Sequence, residues 1–188
     1  RVRLPTVSGG SGPRFARHVG IAAPFLLRNV DSDIIAPIGS SSLSGLSAGE
    51  RAFEPLRYLS DGSESSDFVL NQERYRNASI LLAGENFGTG SAPESAVARL
   101  MAFGIRVVIA PSFGSVFHSN CVTSGLLAMP LGEEVVVVLV DWAQANPGVE
   151  MLVDLEQQII ECSGMESISF KIDPRVRNKF LLGLNDLD

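Results

Sequence analysis

The chain has 188 residues, 45% of them apolar, and carries a formal net charge of −6. That length suits one domain with a sizeable core. The acidic balance argues against nucleic acid, whose phosphates demand a basic face, and gives no reason to expect an anionic membrane surface.

Residues 1–14 are basic and rich in Gly, Ser and Pro, without the apolar centre of a signal peptide. They read as a flexible arm, which leaves 15–188 as a single domain. From His18, "HVGIAAPFLL" predicts a strand; "RNVDSDIIAP" follows, in which Asn29, Asp31 and Asp33 alternate with Val30, Ser32 and Ile34. Residues 38–49 form a Ser/Gly-rich loop, "LSDGSESSDF" is turn chemistry, and "FVLNQERY" predicts about two helical turns. The continuous apolar run Ala78 to Gly84 predicts a strand buried on both faces. Pro93 to Phe103 has Val97, Leu100 and Met101 at helical spacing before Gly104 as its stop. A second buried strand at Arg106 to Pro111 precedes a helix over 112–125, with Phe113, Val116, Phe117 and Cys121 on one face. Leu126 to Leu131 is a third strand. Strand–helix alternation implies parallel pairing with right-handed crossovers.

"GEEVVVVLVDWAQANPG" predicts a helix despite its valines, with Glu133 and Glu134 in the first turn and Asn146-Pro147-Gly148 as the stop. It cannot span a bilayer, because Asp141 interrupts the apolar run. "VEMLVDLEQQIIEC" and "ESISFKI" predict antiparallel strands, and a last helix starts at Asp173 as N-cap and Pro174. The fold class is α/β with parallel and antiparallel strands. Two cysteines, Cys121 and Cys162, fit a reducing, cytoplasmic location with free thiols. They are too few for a cubane iron–sulfur cluster, which needs three or four thiolates.

Three features carry candidate chemistry. Gly88 and Gly90 follow a buried strand and open a helix, where backbone amides can face an anion. The turn is neither a P-loop, since no Gly-Lys-Ser/Thr follows, nor the dinucleotide fingerprint, whose third glycine would fall at Pro93. On residue chemistry alone, the reading of Ser91 as a plain helix cap comes first. On an alternating strand, Asp31 and Asp33 share a face as acid/base or orienting groups; the plainer reading is two turn-making aspartates. His18 and His118 have no second histidine or cysteine at zinc spacing, so no metal is expected, and Phe113 and Phe117 read as core.

Taken together, "NVDSDIIAP", "ILLAGENFGTGS", "VVIAPSFGSVFHSNCVTSGLLAMPL", "SDFVLNQERY" and "IDPRVRNKFLLGL" resemble the small subunit of 3-isopropylmalate dehydratase, which is related to the swivelling domain of aconitase. The likeness runs in matching order from about Phe15 to Leu184. It implies an aconitase-type swivelling β/β/α domain that closes over a separate large subunit, in a cytoplasmic heterodimer of leucine biosynthesis. That large subunit would carry the 4Fe–4S cluster, leaving this chain with no cofactor of its own. The iron acts as a Lewis acid on the substrate hydroxyl, a serine of the swivelling domain removes the carbon-bound proton, and arginines hold the carboxylates. The serine falls on Ser91, with Gly88, Thr89, Gly90 and Ala92 as substrate-binding positions and Asn29, Asp31 and Asp33 in support.

The departures concern substrate. The family loop reads glycine-serine-serine-arginine-glutamate-histidine-alanine, whereas Gly90 to Ala96 places Ala92, Pro93 and Ser95 at the second serine, the arginine and the histidine. The loop 38–49, where a second carboxylate-binding arginine is usual, contains no basic residue. Losing such a contact costs about 2–5 kcal/mol when the partner charge stays buried. Arg51, Arg57 and Arg99 are the candidates to replace it. The expected function is hydro-lyase or isomerase activity on a hydroxy-dicarboxylate, together with the large subunit. The alternatives are a paralogue for another alkyl-malate-like substrate and a non-catalytic binding or regulatory subunit.

Overall fold

The computed structural model describes residues 15–39, 41 and 43–183; the arm expected at 1–14 lies outside them. In chain order the elements are β1 (Arg17–Phe25), α1 (Ser32–Ile35), α2 (Glu54–Arg57), β2 (Ile80–Ala83), α3 (Pro93–Phe103), β3 (Val107–Ala110), α4 (Ser115–Ser124), β4 (Leu127–Pro130), α5 (Glu133–Ala145), β5 (Glu150–Asp154), β6 (Ile159–Glu161), β7 (Ile168–Ser169) and α6 (Pro174–Leu182). They build one mixed sheet in the order β4-β3-β2-β1-β5-β6-β7. Strands β1 to β4 run parallel, with Leu81 between Ala23 and Val108, and β5 to β7 continue antiparallel from the other edge of β1.

Every residue of β2 and β3 is buried. Leu81, Ala83, Val108 and Ala110 face a core shared with α3 and α4, while Ile80, Leu82, Val107 and Ile109 face a second core under α5 and α6. A strand covered on both faces has no polar side to show, so its sequence is continuously apolar. Helix α5 forms against the β-propensity of its valines because its apolar residues recur at helical spacing. Val136, Leu139, Val140 and Ala143 are buried together, and Val137 and Val138 point outward. Helices α3 and α4 end at Gly104 and Gly125, both left-handed, and α6 begins where Asp173 Oδ1 accepts the Arg175 N–H at 2.8 Å.

Two expectations fail locally. "FVLNQERY" yields one 3₁₀ turn, Val69–Asn71, rather than two helical turns. The buried Asn71 side chain decides this: its Nδ2 donates to Arg57 O and Ser65 O, and its Oδ1 accepts from Arg57 Nε. That network ties the segment to α2 in place of a helix face. The alternation Asn29, Asp31, Asp33 is likewise not a strand, since residues 32–35 form α1 and Asp31 is its cap.

His18, expected to bind no metal, lies on β1 with Nε2 2.7 Å from Ser79 Oγ and its ring stacked on Phe15. Burial, followed by the charge of Arg106, holds its pKa below the ordinary value of 6.5, against a weaker upward pull from Glu150. The unfolded chain therefore binds a proton there that the folded chain resists, so His18 lowers stability as pH falls through about 6.5 and has no such effect above it. The thermal midpoint of wild type should therefore fall further between pH 7.5 and pH 5.5 than that of His18→Gln. A constant difference across that range would count against the assignment.

Candidate active site

The ends of β1 and β2 carry the two loops that meet at the start of α3. Gly88 N donates to Val30 O at 2.8 Å, Ser32 N donates to Thr89 O at 2.7 Å, and Asp31 and Thr89 form an isolated parallel bridge. Ala92 N donates to Ser32 Oγ at 3.2 Å. The turn 88–92 is thus clamped to the entry of α1 by three hydrogen bonds to a segment about 60 residues away. Both glycines are required. Gly88 has φ +83°, and a Cβ there would lie 2.2 Å from the Phe117 ring; Gly90 has φ +111°, and a Cβ would lie 2.5 Å from Ser32 Oγ.

Ser91 is exposed at the tip of this turn, and its side chain makes no hydrogen bond among the described residues. It is not the helix cap: Ala92 occupies that position, and no side chain caps α3. Pro93 is buried at the first helical position and brings no N–H. The N–H groups of Gly90, Ser91, Glu94 and Ser95 have no partner among the described residues. Four free donors at the start of an 11-residue helix make a setting that favours negative charge on an oxygen placed there.

The supporting residues divide. Asp31 Oδ1 accepts the Ile34 N–H at 3.0 Å, so this carboxylate caps α1, and Asp33 is exposed in the first turn. The two do not present a shared strand face. Asn29 is left-handed (φ +56°), donates its N–H to Glu85 O, and accepts from the side chain of Asn86, itself at φ +56°. Ser32, which pattern reading passes over, is fully buried and joins α1 to the turn. Its only sequence signal is a small hydroxyl residue between two aspartates.

Behind the turn, Phe87, Phe113 and Phe117 pack as one aromatic group. Phe87 meets Phe117 edge-on at 5.7 Å between centroids, and Phe113 stacks on Phe117 at 6.2 Å. Phe117 is core as expected, whereas Phe113 is only partly buried. His118 Nε2 lies 3.1 Å from Ala128 O and so ties α4 to β4.

The thiols are unsuited to a cluster. Cys121 is buried in the core under α3 and α4, and Cys162 in the core on the opposite side of the sheet. Burial raises the pKa of both, Cys162 to about 11, whereas cluster ligation needs convergent thiolates. No helix among the described residues is long and apolar enough to cross a membrane.

A family model described as the aconitase C-terminal domain matches residues 13–134, and one described as LeuD_N matches 138–174. Among curated proteins, the 3-isopropylmalate dehydratase small subunit of Roseobacter denitrificans is 44% identical over 177 residues, covering 93% of this chain and 87% of that protein. The same-named subunit of Marinobacter nauticus is 43% identical over 183 residues, covering 92% and 85%. A crystal structure of 3-isopropylmalate dehydratase from Methanocaldococcus jannaschii superposes with a TM-score of 0.62 at 23% identity, covering 89% of this chain and 90% of that one. That last likeness is one of fold.

Proposed function

The chain belongs to the 3-isopropylmalate dehydratase small-subunit family, and from that premise we propose that it acts as the swivelling subunit of a hydro-lyase on a hydroxy-dicarboxylate. Its partner is a large subunit, to which the resemblance assigns the iron–sulfur cluster; the two thiols here, buried on opposite sides of the sheet, support that reading. One observation carries the assignment of the site: an exposed, unbonded Ser91 hydroxyl on a rigid turn among four unpaired amides. In this reading Ser91 acts as the alkoxide, which the amides stabilise; it takes the carbon-bound proton and becomes the hydroxyl, while the C–H electron pair forms the double bond as the substrate hydroxyl leaves. Gly88, Thr89 and Gly90 shape the turn, the Ala92 N–H holds it to Ser32 Oγ, and Asp31 and Asn29 hold the entry of α1 and the neighbouring loop. Activation of the leaving hydroxyl belongs to the partner.

Pro93 favours a second reading in which the substrate is a different alkyl-malate. It is buried at the first position of α3 and has no donor for the carboxylate that an arginine there would hold.

Co-expression with large subunits and a substrate screen over isopropylmalate, citrate, methylcitrate and dimethylmalate tests the proposal. The expected result is a stable two-subunit complex that turns over an alkyl-malate. Turnover confined to dimethylmalate would select the second reading, and a complex inert on all four would remove the hydro-lyase assignment.

A further inference from the structure

We infer that Ser32, on the short helix α1, is a positioning residue for Ser91. Its buried hydroxyl closes the start of α3 from a remote segment and so fixes how the turn presents Ser91. The inference rests on the reading of Ser91 as the base, and names a residue on which that base depends.

A helix leaves unpaired N–H groups at its start, and a local side chain usually takes one of them. In a capping box, a Glu or Gln at the third helical position accepts the N–H of the cap residue. Helix α3 has neither device. Its cap, Ala92, has no side-chain acceptor, and its third residue is the exposed Ser95. The Ala92 N–H donates instead to Ser32 Oγ at 3.2 Å, from a position 60 residues earlier in the chain. The remote hydroxyl thus takes the cap's N–H, while the Ser91 side chain stays exposed and makes no hydrogen bond among the described residues.

Ser32 also holds the turn on the other side of Ser91, where its N–H donates to Thr89 O at 2.7 Å. A trans peptide carries its C=O and N–H in opposite directions. Drawing Thr89 O onto the fully buried Ser32 therefore turns the Gly90 N–H away from α1. Drawing the Ala92 N–H inward likewise turns the Ser91 carbonyl outward. One residue sets both peptide planes that flank the Gly90–Ser91 unit. The fit is close, since a Cβ on Gly90 would lie 2.5 Å from Ser32 Oγ. With no side-chain bond of its own, Ser91 takes its direction from this backbone alone. Ser32→Ala keeps the backbone bond to Thr89 and removes only the hydroxyl, which frees the 91–92 plane to rotate. Proton removal suffers first, because a base acts only within hydrogen-bond reach of its proton.

Two measurements test this. In the first, amide hydrogen exchange is followed by NMR on the full chain. The Ala92 N–H should exchange about 10-fold or more slower than those of Gly90 and Ser91, and Ser32→Ala should erase the difference. In the second, Ser32→Ala in the two-subunit complex should lower kcat roughly 10–100-fold with KM within about 3-fold. Ser32→Thr should keep kcat within about 3-fold of wild type, whereas Ser32→Val, of similar shape without the oxygen, should fall with Ser32→Ala. Val140→Ala, in the core on the other side of the sheet, should lose stability at unchanged kcat, which separates positioning from general loosening. An Ala92 N–H that exchanges as fast as its neighbours in wild type overturns the inference. So does full kcat in Ser32→Ala, or a Ser32→Thr complex as slow as Ser32→Val. Protection of Ala92 that depends on Ser32, beside a wild-type complex with no turnover, keeps the contact and removes the hydro-lyase reading. Should Ser32→Ala fail to fold, Ser32→Thr against Ser32→Val decides.

Discussion

Ser91→Ala in the two-subunit complex should reduce kcat by about 10²–10⁴-fold, the usual contribution of a positioned proton-transfer group, with little change in KM. The same substitution should leave the thermal midpoint and the co-purification of the subunits unchanged. That separation follows from the local structure. Ser91 is exposed, makes no side-chain hydrogen bond among the described residues, and does not cap α3. Surface substitutions without such roles stay within about ±0.5 kcal/mol. Had Ser91 been the cap, the change to alanine would cost about 1 kcal/mol of stability and weaken α3 as well. A variant that retains wild-type turnover would take Ser91 out of the base role; one that loses stability in step with activity would make the residue a structural one.

Phe117→Ala should destabilise the folded chain by about 3–5 kcal/mol, read as a lower urea midpoint at unchanged slope. Phe117 is 1% exposed, sits between Phe87 and Phe113, and lies directly against the backbone of Gly88. Removing the ring opens a cavity under the turn that presents Ser91. The gap is hard to close, because the turn is fastened to α1 from its other side through Val30, Ser32 and Thr89. Activity should fall with stability in this variant, in contrast to Ser91→Ala. A loss below about 1 kcal/mol would mean that the turn collapses onto the vacated space, and that its position does not depend on the ring.

The two variants probe different levels of one device. Strands β1 and β2 end side by side, Phe117 of α4 supports the Gly88–Gly90 turn from below, and α1 clamps it from the side. The site needs this rigidity because a base must be held within hydrogen-bond reach of the proton it removes.

Much of this was legible in the amino-acid sequence. The runs at 80–83, 107–110 and 127–130 are apolar without interruption because both faces of the sheet are covered, and periodicity records that burial directly. Helices α3, α4 and α5 declare themselves by spacing, by a first-turn Pro or Glu, and by their stops at Gly104, Gly125 and Asn146-Pro147-Gly148. Gly88 and Gly90 were likewise legible from residue type, whereas Ser91, just after them, reads first as a helix cap and takes its role only from the resemblance that also identifies the family.

What the tertiary structure decided lies where short segments obey distant partners. Whether residues 31–35 extend or coil depends on Thr89 accepting from Ser32 and on Asp31 capping Ile34, and no local period encodes an accepting carbonyl nearly 60 residues away. The segment after Phe68 turns rather than continuing as a helix because Asn71 is bound to Arg57 and Ser65. The three candidate arginines look alike in sequence. Packing separates them, engaging Arg51 and Arg57 with carboxylate and carbonyl oxygens while leaving Arg99 Nη1 buried without an acceptor. Hydrophobic patterning therefore determines the layers of this protein, since burial acts on every residue of an element and repeats along it. The pairing of individual polar groups is a matter of single distances between remote segments, and only the folded chain sets those.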